Sequence, residues 1–231
     1  MTPILKYPRT PHLTGSRIQP GDEDYNTVAR QTLEGLSIVI EEKLDGSNSG
    51  ISFDQDGTLI LQSRGHVLTG GPREEQFALF KRWANRHILV LREILGRRYT
   101  MYGEWLYARH TIPYDQLPHY FLEFDILDRE SGEFLGTDRR KTLLAGGPVV
   151  SVPVLHVGSI RSLGAYIGRS RCSSRETMEG LYLKREENGR VTGRYKYVRP
   201  DFLQAVAGSD SHWMDRPIEP NRLREGADLF A

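Results

Sequence analysis

EKLDGSN, residues 42–48, lies between a β-branched run, SIVIE at 37–41, and a second apolar stretch, GISF at 50–53. The flanking runs predict strands near 36–42 and 49–54, joined by a turn at Asp45-Gly46. Lys43 therefore stands where a strand ends and a turn begins. A lysine in that position is either a solvated loop cation or an amine held at a fixed point over a pocket. Residues elsewhere in the chain distinguish the two.

Working outward, runs rich in β-branched and aromatic residues predict further strands near 58–63, 99–107, 119–128, 150–157, 179–185 and 193–199. QDGT at 55–58 reads as a hairpin turn. Over 73–95, Phe77, Phe80, Trp83, Ala84, Leu91 and Leu95 recur at helical spacing, with Gly71-Pro72 before and Gly96 after, so a helix is predicted. Shorter helices are expected near 138–145, 159–168 and 200–207. Many strands, few helices and no strict βαβ alternation give an α+β fold built on antiparallel sheets with flanking helices.

Formal net charge is +1, so bulk charge favours no polyanion, but its distribution is uneven. Residues 161–200 hold ten Lys/Arg, among them Arg169, Arg171 and Arg175, against four Glu, a pattern suited to a polyanionic partner. The single cysteine, Cys172, excludes an internal disulfide and a cysteine-built metal site, and reads as inert. It fits a reducing cytoplasm. No apolar run approaches the roughly 20 residues of a membrane helix, and MTPILKYPRT lacks the apolar core of a signal peptide. A cytoplasmic protein with no membrane association is expected. His66, His110 and His119 lack zinc-site spacing and read as surface or strand-end residues. GDEDYN at 21–26, with Tyr25, reads as a solvated loop.

Four stretches place charge where a strand core would want apolar residues. They are Lys43-Leu44-Asp45-Gly46, Tyr102-Gly103-Glu104-Trp105, 179–184 (EGLYLK) and 194–199 (RYKYVR). Strand positions that break the local rule are expected at functional sites. This mixture of lysines and glutamates suits a site for a phosphate chain and a divalent metal ion.

The ordered set of KxDG, GE-aromatic, EG-apolar-x-apolar-K and a final basic strand resembles the covalent nucleotidyltransferases. These are the ATP-dependent DNA and RNA ligases and the mRNA capping enzymes. Glu42-Lys43-x-x-Gly46-Ser47-Asn48 and the YFLEFDIL strand at 120–127 resemble the motifs of the RNA-repair, nick-sealing RNA ligases. Asp45 departs from the His of some of those enzymes and matches the broader pattern. The resemblance spans about residues 36–202 and implies a nucleotidyltransferase domain, an ATP-grasp-like ligase adenylation fold.

The resemblance makes Lys43 the nucleophile. An ordinary lysine has a pKa of about 10.4, which leaves roughly one amine in two thousand reactive at neutral pH. A metal ion and neighbouring cations are expected to lower it. Attack on ATP would leave AMP on Lys43. The AMP would then pass to an RNA 5′-phosphate, and a 3′-hydroxyl would displace it to join the ends, nicks in a duplex included. Asp45 and Gly46 would shape the turn, Gly46 by a conformation barred to other residues. Glu42 and Asn48 would belong to the nucleotide site with Arg64, which meets a phosphate, and Phe124, which stacks on adenine. Glu104 would meet the ribose or the metal, and Glu179 the metal, Mg2+ or Mn2+. Lys184 and Lys196 would contact phosphates, with Asp125, Arg194 and Arg199 in secondary places. The residues name no protein partner.

The expected organisation is a catalytic domain over 1–202 and a short tail over 203–231, with no OB-fold. Two rival readings share these residues. A minimal ATP-dependent DNA ligase would use the same chemistry, but residues 42–48 argue against it. A catalytically silent nucleotide- or nucleic-acid-binding module would have no need of the nucleophile.

Overall fold

The alternation within SIVIEEK makes β3 (Ser37–Lys43) a two-faced strand, and its two faces set the architecture. The computed structural model describes residues 4–18, 27–203 and 217–231, so the GDEDYN loop with Tyr25 lies outside the described residues. The other strands are β1 (His12–Leu13), β2 (Thr27–Val28), β4 (Ser47–Phe53), β5 (Leu59–Ser63), β6 (Tyr99–Trp105), β7 (Phe121–Asp128) and β8 (Glu133–Leu135), followed by β9 (Val150–Ser151), β10 (Val154–Ser159), β11 (Gly180–Glu187) and β12 (Arg190–Val198). They form a mostly antiparallel sheet in the order β10-β3-β11-β12-β8-β7-β6-β4-β5. Among the named strands, β1 pairs parallel with β2 and β12, and β9 with β7.

Two halves of this sheet meet at β8, which pairs with β12 through only two residue pairs, Arg190↔Leu135 and Val191↔Phe134. In the first half, Ile38, Ile40, Leu181 and Leu183 pack on Leu13, Leu33 and Met178. In the second, Ile51, Phe53, Met101, Trp105 and Phe121 pack against Phe80, Trp83, Leu91 and Leu95. The latter come from α1 (Ala78–Arg86) and α2 (Ile88–Leu95). Each fully buried apolar side chain contributes roughly 1.5–3 kcal/mol, so the apolar faces anchor both halves. The opposite faces are free to carry charge.

Several predicted elements differ in detail. The helix expected over 73–95 is a 3₁₀ turn, Pro72–Phe77, and then two helices that break at His87 and end at Gly96 (φ 51°). The helix near 138–145 is present as α3 (Thr137–Leu144). The helix expected at 159–168 is only a 3₁₀ turn, Leu163–Tyr166. There β10 runs on to Ser159, and Gly164 and Gly168 disfavour further helix. Residues 200–203 make a turn, and the remainder of the helix expected to 207 lies outside the described residues. The strand predicted at 150–157 is split into β9 and β10 around Val152-Pro153. The hairpin at 55–58 is present, with Asp54 Oδ1 accepting from Asp56 N and Thr58 N at 2.9 and 2.8 Å.

His119 is a correction. It is buried rather than superficial, with Nδ1 accepting from Phe121 N–H at 2.9 Å and Nε2 3.3 Å from the Leu229 carbonyl. Residues 217–231 return to the same body. Buried Asn221 donates to the Leu106 carbonyl at 2.8 Å and accepts from Tyr114 N–H at 2.9 Å, and Leu229 joins the core beneath the helices. Among the described residues no helix is long and apolar enough to cross a membrane.

Candidate active site

β3 belongs to one half of the sheet and β4 to the other, so residues 43–47 carry the chain across between them. Asp45 fixes this crossing. Its Oδ2 accepts from Thr111 N–H at 2.7 Å and Ile112 N–H at 3.0 Å, while its own N–H donates to the Tyr114 hydroxyl at 2.9 Å. Gly46 is required for space, not for an unusual conformation. Its φ is not left-handed, but a Cβ there would lie 2.7 Å from the Trp105 carbonyl and 2.8 Å from Leu106. The expectation of a barred conformation at Gly46 is corrected accordingly.

Lys43 reaches into a cleft of about 1600 Å³ whose walls come from both halves. Its Nζ donates to Glu179 Oε1 at 2.6 Å. Burial works to strip this amine of its proton, but the carboxylates of Glu179, Glu104 and Asp45 outweigh it and hold the pKa above the ordinary lysine value. The protein's own groups therefore work against the lowering expected from a metal ion, because the amine's immediate neighbours are anions. The carboxylates respond in turn. Burial, against the pull of Lys43, pushes Glu104 up to about 8 and Glu179 up to about 7.

Glu104 Oε1 also accepts the Gly46 N–H at 3.1 Å, and on β4 the residue in register with Glu104 is Asn48. Among the described residues no group of three or more His, Cys, Asp or Glu is arranged to hold a metal. The pair Glu104 and Glu179 nevertheless offers only oxygen donors, and Glu179 Oε2 is buried without a hydrogen-bond partner. An all-oxygen, negatively charged pair of this kind suits a hard divalent cation.

Asn48, Arg64, Phe124 and Lys196 line the same cleft, Arg64 exposed at the end of β5. Phe124 is the extra residue of a β-bulge, since Tyr102 pairs with Asp125 and Gly103 with Glu123. Glu42 also borders the cleft, but it has the strand parity of Ile38 and Ile40, and its carboxylate accepts from the Ser170 hydroxyl and from Arg171 N–H, the latter at 2.8 Å. Burial raises its pKa. Arg199 pairs with Asp201 at 2.6 Å and donates to the Met178 carbonyl.

Lys184, expected to face a phosphate, is fully buried. Its amine lies 2.7 Å from Glu41 Oε2 and 3.0 Å from Asp125 Oδ1, and donates to the Phe124 carbonyl. Arg140 extends this network to Glu41 and Glu123, and Arg194 approaches Asp125 at 3.9 Å. The register explains the difference: Gly180 pairs with Lys43, whereas Lys184 pairs with Val39, four residues back along β3. Sequence reasoning missed Glu41, Glu123 and Arg140. The charges within SIVIEE and FLEFD, at central strand positions, were the available signal. It also missed His110, whose Nε2 lies 3.3 Å from the Ser47 hydroxyl. Cys172 is buried with its thiol pKa raised by burial, in keeping with an inert residue.

By sequence, residues 36–198 match the family described as RNA ligase. No curated protein matches the chain. Among solved structures, the fold is similar to RNA ligase from Naegleria gruberi. A mutant of that enzyme with ATP and Mn aligns at TM-score 0.59 and 20% identity, covering 73% of this chain and 51% of that one. Another mutant with AMP and Mn gives 0.56 and 19% with the same coverage, and the enzyme with PPi gives 0.56 and 20%, covering 85% and 61%. This chain thus spans half to three fifths of the length of those relatives.

Proposed function

The chain belongs to the RNA ligase family, and on that premise we propose that it is an ATP-dependent RNA ligase working through a lysyl-AMP intermediate. The observation that carries this reading is the Lys43 amine, presented into the cleft and paired with Glu179 at 2.6 Å. The relatives with ATP, AMP, PPi and Mn support ATP as substrate and a divalent cation as cofactor. The sheet arrangement supports an α+β nucleotidyltransferase domain of the ligase adenylation type, with residues 1–202 as the catalytic unit.

Lys43 Nζ attacks the α-phosphorus, a P–N bond forms, and the bond to pyrophosphate breaks. Glu104 and Glu179 would hold a Mg2+ or Mn2+ ion, whose charge would offset the two carboxylates, favour the neutral amine and neutralise the phosphates. Asp45 and Gly46 fix the height of the amine, because the first is tied to residues 111–112 and the second packs against the Trp105 carbonyl. Phe124 supplies an apolar wall for the base, and Arg64 and Lys196 supply cations for the phosphates. Lys184 acts indirectly, by neutralising Glu41 and Asp125 behind the cleft. The second substrate is RNA with 5′-phosphate and 3′-hydroxyl ends, including nicked duplexes. The single buried cysteine supports the cytoplasm as the working compartment.

The test is label transfer from α-phosphate-labelled ATP to the protein with a divalent cation present. The bond should be acid-labile and alkali-stable, and Lys43→Ala should abolish it. Labelling that survives Lys43→Ala would remove Lys43 as the nucleophile. Sealing of a DNA nick in preference to an RNA nick would overturn the substrate.

A further inference from the structure

Residues 5–12 precede the stretch matched by the family, yet they run along the cleft. The Leu5 carbonyl accepts from Gln62 Nε2 and from the Tyr102 hydroxyl, both at 2.9 Å, while the Pro11 carbonyl accepts from Lys196 N–H at 3.0 Å. Gln62 and Tyr102 sit on β5 and β6 and Lys196 on β12, so this strap ties the two halves of the sheet together. Tyr7 pins its middle. The hydroxyl donates to Asp125 Oδ2 at 2.5 Å and meets the Tyr182 hydroxyl. The ring packs edge-on against Tyr102 and Phe124, with the Arg194 guanidinium 5.2 Å from its centre.

With the strap fixed at both ends and in the middle, Lys6 is exposed and lines the cleft. Its Nζ lies 4.0 Å from where a Cβ on Gly65 would stand, next to exposed Arg64. Among the described residues neither Lys6 nor Arg64 has a carboxylate partner. Two cations lining one cleft repel each other, and a phosphate between them reverses that.

We propose that the strap is a phosphate-binding arm, in which Lys6 acts with Arg64 on a phosphate of the bound substrate and Tyr7 is the positioning residue that holds Lys6 there. The inference rests on the functional reading above only in placing a phosphate-bearing substrate in the cleft.

The test measures binding to the full chain and to its Lys6→Ala, Lys6→Arg and Tyr7→Phe variants. The probes are a 5′-phosphorylated oligoribonucleotide, the same strand with a 5′-hydroxyl, and inorganic tripolyphosphate. Lys6→Ala should weaken a phosphate probe roughly tenfold, the order expected of one charge-assisted contact. Lys6→Arg should restore it, and Tyr7→Phe should weaken it severalfold in protein that is still fully folded at the assay temperature. A loss confined to the 5′-phosphorylated strand identifies the RNA end, an equal loss on the 5′-hydroxyl strand an internal phosphate, and a loss on tripolyphosphate the nucleotide. Unchanged affinities in Lys6→Ala, or no binding of any probe by the native chain, overturn the proposal, and an indifferent Tyr7→Phe overturns the positioning role. ATP labelling read in parallel separates the two readings. Protein that binds through Lys6 without becoming labelled sinks the ligase function alone, and labelled protein indifferent to Lys6 sinks the arm alone.

Discussion

At Gly46 a single methyl group decides whether the crossing between the halves can form. The nearest atom to an added Cβ is the Trp105 carbonyl oxygen at 2.7 Å, part of the β6 backbone and unable to swing aside as a side chain would. Gly46→Ala should therefore cost about 1–3 kcal/mol and displace Lys43 and Glu104 together. A thermal melt alongside the labelling assay checks this, and a variant that melts and labels normally would show the turn to be slack. Lys184 makes the opposite case. It is fully buried between Glu41 and Asp125, so Lys184→Ala leaves Glu41 to Arg140 alone and Asp125 to the more distant Arg194. The loss should be about 3–5 kcal/mol, visible as a lower denaturant midpoint before any activity is assayed. Normal unfolding with lost phosphate affinity would instead return Lys184 to the cleft.

Among the elements, the loop at 169–175 is tied to the strand that ends in Lys43. Glu42 accepts from both Ser170 and Arg171, and Asp115 accepts from Ser174 N–H at 2.7 Å, so the loop is held at two points. Arg169, Arg171 and Arg175 are exposed on it. Three cations on a pinned loop suit a polynucleotide backbone, and such contacts release counterions on binding. Replacing all three by Ala should lower the dependence of RNA joining on salt, by up to about 3 units of log–log slope, while ATP labelling changes little. Salt curves of joining and labelling, measured before and after the substitution, decide the point. Identical curves would place the RNA elsewhere.

For the whole molecule, the docking of residues 217–231 depends on a neutral histidine. Burial lowers the pKa of His119, and the backbone bonds at Phe121 and Leu229 offset this only in part. In the unfolded chain the imidazole takes up its proton near its ordinary pKa, about 6.5. The unfolded state therefore binds more protons between that value and the lower folded one, and stability falls as pH drops below about 6.5. Melting temperatures at pH 7.5 and pH 5 should differ less in His119→Gln than in the native chain. An equal drop in both would assign the acid sensitivity to other groups.

The strand pattern, the hairpin at 55–58 and the clustering of Lys43, Glu104, Glu179 and Lys196 were legible in the sequence. Period-2 alternation and turn chemistry are local, and charges inside strands stand out against apolar neighbours. The protein's own pull on the Lys43 proton was not legible, because it depends on which carboxylates the fold brings within reach of the amine. Nor was the difference between Lys184 and Lys196, two lysines in similar strands. Register alone sends one into a closed ion network and the other to the cleft, and register is fixed by pairing between segments far apart in the chain. The strap at residues 5–12 was invisible for the same reason. Nothing in KYPRT announces that Tyr7 will find Asp125 and Tyr182, more than a hundred residues away, and only the closed sheet brings them together.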